Sequence, residues 1–71
     1  MEKIYINTES IKLGQLLKLA GIVSSGIEAK ILITNGKVKV NNEIVCERGR
    51  KIYKGYIIET EGGEKILVDT D

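Results

Sequence analysis

Lys37, Lys39, Arg48, Arg50, Lys51 and Lys54 crowd into one stretch that holds only two acids, Glu43 and Glu47. Six basic side chains against two carboxylates leave residues 37–55 at +4. Residues 56–71 carry Lys65 against Glu59, Glu61, Glu64, Asp69 and Asp71, or −4. The formal total of +1 hides this asymmetry. A polyanion responds to the local field rather than to net charge. A guanidinium meets two phosphate oxygens at once, which an ammonium does not. Arg48 and Arg50 are therefore the strongest candidates for phosphate contact, with the lysines supplying point charge.

Other chemistries are poorly provided for. The chain has no histidine, the commonest general base, and a single cysteine, Cys46. No histidine–cysteine cluster is available to a metal. Gly62-Gly63 lacks the lysine and helix that follow a phosphate-cradling loop. Binding, not catalysis, is the expectation, with no cofactor. A lone thiol fits a reducing compartment, and no run approaches about 18 consecutive apolar residues, so the chain reads as cytoplasmic and away from membranes. Seventy-one residues make one domain with a small core, expected as a monomer.

The elements that must position these charges follow from periodicity. "EKIYIN" (2–7) alternates and predicts a strand. Thr8, Glu9 and Ser10 are candidate caps for a helix in "IKLGQLLKLAG", where Leu13, Leu16, Leu17 and Ala20 form one stripe and Gly21 ends it. Gly14 inside that helix costs about 1 kcal/mol relative to alanine, which points to close packing there. Ser25 and Glu28 are spaced as a capping box for a second helix, Gly26 to about Thr34, with Ala29, Leu32 and Ile33 inward. Asn35-Gly36 stops it. "GKVKVNNEIV" alternates and then turns. A two-residue loop would set Val40 against Glu43 and Lys39 against Ile44, mixing charge with core. A three-residue loop, Asn41 to Glu43, sets Val40 against Ile44 and Val38 against Cys46, and is the preferred register. "YIIET" and "KILVDT" flank "EGGE" as a further hairpin. The class is α+β: two short packed helices against a small, mostly antiparallel sheet.

Over about residues 11–58 the pattern resembles the small RNA-binding domain of ribosomal small-subunit protein S-four, the alpha-L RNA-binding motif. That family carries two short helices, then G-x-V-x-V-N-G, then G-D-x-I. Here Ser25, Glu28 and Ala29 fit the start of the second helix; Ile33, Gly36, Val38, Val40 and Asn41 fit the hairpin; and Gly55 with Ile57 fits the last strand. Gly26 stands where arginine is frequent, Asn42 where glycine is usual, and Tyr56 where aspartate is usual. "SSGIEAK" and "ERGRK" are similar to the "SGGEAK" and "RRGRK" of free-standing bacterial members.

The resemblance implies a non-catalytic module for structured RNA, ribosomal or transfer, and through it an association with the ribosome. Its binding face transfers to Lys12, Ser25, Glu28 and Lys30 near the helices, and to Lys37, Lys39 and Asn41 on the hairpin. Charge clustering and the subgroup resemblance add Arg48, Arg50, Lys51 and Lys54. Ser25 and Glu28 also serve as a helix cap, and Asn41 as a turn residue. The competing expectation is a protein-interaction module whose acidic C-terminal hairpin takes a basic partner such as a ribosomal protein.

Overall fold

In the computed structural model, which describes residues 1–70, two helices close one face of a five-stranded sheet, and a separate two-stranded ribbon flanks them. The elements are β1 (Glu2–Ile6), β2 (Ser10–Lys12), α1 (Leu13–Leu19), α2 (Gly26–Thr34), β3 (Val38–Val40), β4 (Glu43–Ile44), β5 (Lys51–Tyr53), β6 (Ile57–Thr60) and β7 (Lys65–Thr70). Strand order in the sheet is β1-β7-β6-β3-β4, and β2 pairs with β5. All pairings are antiparallel except β1 with β7. The α+β expectation holds. Asp71, the last acid of the tail, lies outside the described residues.

The apolar stripes meet as their spacing requires. Leu13, Leu16 and Leu17 of α1 and Ala29 and Ile33 of α2 join Val38, Ile52, Ile58, Ile66 and Val68 in one core. Each fully buried leucine or isoleucine contributes about 1.5–3 kcal/mol. Both helices end in the same device: Gly21 and Gly36 take φ of 76° and 72°. The Ile22 and Lys37 amides then reach back to the carbonyls of Leu17 and Leu32.

Three local expectations are corrected. Thr8, Glu9 and Ser10 do not cap α1. Ser10–Lys12 is a strand, drawn out of the helix by pairing with residues 51–53. Thr8 instead donates to the Ser10 carbonyl. At α2 the Ser25 hydroxyl does accept from the Glu28 amide at 3.2 Å, but the returning Glu28 carboxylate accepts from the Ser24 hydroxyl, not the Ser25 amide. The β3–β4 loop is the two-residue one, with Lys39 opposite Ile44 and Val40 opposite Glu43. Asn41 and Asn42 both have positive φ, 50° and 73°, the geometry whose twist suits a two-residue hairpin. This register brings the Val45 amide to the Val38 carbonyl, so two buried valines face each other. Ile44 is left 60% exposed on the edge strand, the cost of burying Val45.

Candidate nucleic-acid interface

The start of α1 has no side-chain cap, and its free amides are taken by the arginine-bearing loop. Leu13 N donates to the Arg50 carbonyl at 2.9 Å and Gly14 N to the Arg48 carbonyl at 3.0 Å. This ties the 47–50 backbone to the helix and fixes where the Arg48 side chain begins. Gly14 is where α1, this loop and α2 meet: a Cβ there would lie 3.5 Å from Arg48 Cβ and 3.8 Å from Ala29 Cβ, ordinary contact that leaves room for a methyl and nothing larger. The close packing expected of Gly14 is thus against both the loop and α2.

Between these elements lies an open groove of about 300 Å³, lined by Lys12, Gln15, Lys18, Gly26, Arg48 and Gly49 among others. Lys12 lies directly across the ribbon from Lys51, and both are exposed. Like charges placed opposite one another on a strand pair destabilise it, a penalty that an anion seated between them relieves. Among the described residues, Lys12, Lys18, Lys51 and Arg48 make no ion pair. Lys12, Lys18 and Arg48 thus line the groove along α1 unneutralised, with Lys51 beside Lys12 across the ribbon.

The remaining candidates are spread more widely. Arg50 leaves the same loop but pairs with Glu47 at 2.9 Å, an exposed contact of low strength. Lys54 lies 4.0 Å from Asp69. Lys30 is exposed on α2. Ser25 is engaged as the cap, and Glu28 lines a different groove, on the far side of α2. Lys37 and Lys39 line a cleft with Glu59 and Glu61, where Lys37 pairs with Glu61 at 2.7 Å. Asn41 is a clip: its Oδ1 accepts from Ile57 N at 2.9 Å while its own amide donates to the Ile57 carbonyl at 2.8 Å. The structure brings Lys12, Arg48 and Lys51 together and leaves the hairpin lysines among carboxylates. Gln15 and Lys18 were missed. Their signal was the i, i+3 spacing on the polar side of the α1 stripe.

A small helix pair on a mixed sheet, with a cationic groove where a basic loop meets the first helix, defines a compact domain of α+β build. A family model for the S4 domain matches residues 4–69. The probable ribosome maturation protein RlbA of Bacillus subtilis (strain 168) is 49% identical over 59 residues, 83% of this chain and 83% of that protein. A tyrosine–tRNA ligase of Nitrosomonas europaea is 36% identical over 64 residues, 90% of this chain but 16% of the ligase. The solution structure of a tyrosyl-tRNA synthetase C-terminal domain has the same fold, with a TM-score of 0.78 at 23% identity, covering 100% of this chain and 79% of that one. The chain belongs to the S4 domain family.

Proposed function

We propose that this chain is a non-catalytic module that binds structured RNA, ribosomal or transfer, through the cationic groove at the start of α1. The observation that carries the reading is the placing of Lys12 opposite Lys51, with Lys18 and Arg48 beside them and no carboxylate partner among the described residues. Structured RNA offers closely spaced phosphates and little readable sequence in its deep groove, which suits a rigid cationic rim. Family membership, with a probable ribosome maturation protein and a tRNA ligase among its relatives, favours RNA over other polyanions. Arg48 carries the groove's bidentate contact; Lys12, Lys18 and Lys51 supply charge. Arg50, once released from Glu47, extends the surface, with Lys54 and Lys30 at its margin. Lys37 contributes less because Glu61 already pairs with it, and Lys39 because it stands opposite Glu59 in the sheet, away from the groove.

The test is a binding series for folded ribosomal RNA fragments, transfer RNA and duplex DNA across salt concentration. Affinity for RNA falls log-linearly with salt through counterion release. Arg48→Glu weakens RNA binding about tenfold or more and flattens the salt slope by about one or more, since a charge is reversed and not merely removed. Lys39→Glu changes it little. Equal binding to duplex DNA, or an unchanged Arg48→Glu, overturns the reading.

A further inference from the structure

On the other side of α2 from the cationic groove lies a second, shallow groove of about 440 Å³. Its floor is aliphatic: Ile22, Val23, Ile31 and Leu32, with Ile31 56% exposed. Its rim carries Glu28 from α2 and Glu64 from the β6–β7 turn, and among the described residues no lysine or arginine lines it. Both carboxylates are held in place. Glu28 accepts from the Ser24 hydroxyl, and Glu64 accepts at 2.7 Å from the hydroxyl of Thr60, a residue only 6% exposed.

We propose that this groove docks a lysine- or arginine-rich protein segment bearing an aliphatic anchor. The apolar floor takes the anchor, and Glu28 and Glu64 take the flanking cations. Charge complementarity selects this occupant, because the same two carboxylates repel RNA, anionic lipid and acidic peptide. The surface is separate from the RNA groove: Gly26 and Ala29 of α2 line one, while Glu28, Ile31 and Leu32 line the other. RNA and a basic segment therefore bind together, which makes the domain a bridge between them.

The probe is a short synthetic peptide with a leucine–isoleucine pair between runs of lysine, titrated into the isotopically labelled full chain and read by amide chemical shifts. Saturable shifts fall on residues 22–23, 28–32 and 60–64, and persist with RNA bound. Ile31→Ser weakens the peptide about tenfold, as does the pair Glu28→Gln with Glu64→Gln. The glutamines keep an oxygen acceptor for the Ser24 and Thr60 hydroxyls, so the fold is retained. None of these changes alters RNA affinity by more than about twofold, so loss of this surface reads apart from loss of the RNA groove. Equal binding by an all-lysine peptide overturns the proposal. So do shifts centred on Glu59, Glu61 and Asp69, or the same shifts on concentrating the protein alone, which would identify a second copy as the occupant.

Discussion

Two residues set the reach of the cationic groove in opposite ways. Arg48 projects from a backbone pinned to α1, so its charge is held at the groove. Gly26 contributes none, yet a Cβ at Gly26 meets nothing within 4 Å, so the space for a longer side chain is there. Gly26→Arg, at the first turn of α2, should tighten RNA binding several-fold and steepen the salt slope by about one, measured in the same binding series. Asn41 works for the fold. Asn41→Ala removes the acceptor for the Ile57 amide at a residue with φ of 50° and should cost about 1–2 kcal/mol in urea unfolding, with RNA affinity intact. Asn42→Gly, at φ of 73°, should instead add roughly 0.5 kcal/mol, since glycine adopts that conformation freely.

At the scale of elements, the arginine loop and α1 act as one unit because main-chain bonds join them. Gly14 is where they touch. Gly14→Ala adds a methyl at ordinary contact distance from Arg48 and Ala29 and should stabilise the helix by up to about 1 kcal/mol without loss of RNA binding. Gly14→Leu should force the loop off the helix and weaken RNA binding together with stability, both read on the same variant. Elements with their own local signals were legible in the sequence: the Ser25 cap, the glycines closing both helices, and the strands flanking Gly62-Gly63. What failed depended on distant partners. Ser10–Lys12 continues the helical spacing of α1 and becomes a strand only because residues 51–53 pair with it. The β3–β4 register follows from Val45, and not Ile44, being the residue the core claims, which alternation within the hairpin does not reveal. The groove was half legible for the same reason. Adjacency in sequence grouped Lys37 and Lys39 with Arg48, while the fold replaces them with Lys18 from α1 and hands them to Glu59 and Glu61.

As a whole molecule, the protein has one small core and little stability to spare. Domains of this size hold about 0.05–0.15 kcal/mol per residue, a total of roughly 4–10 kcal/mol. Ile58 sits in the middle of the sheet, fully buried, and Ile58→Ala should cost about 2–5 kcal/mol, enough to lower the thermal midpoint by well over ten degrees in calorimetry. Leu19 and Ile27 are 55% and 72% exposed, and shortening them should leave the midpoint nearly unchanged. The parallel pairing of β1 with β7, Glu2 beside Ile66 and Ile6 beside Thr70, joins two strands that lie far apart in the chain. A nascent chain emerges amino end first, so β1 has no neighbour until residues 65–70 have left the exit tunnel. β7 therefore holds β1 to the rest of the sheet, and a chain cut short before it keeps the β4-β3-β6 pairings but leaves β1 without a partner and β6 with an open edge.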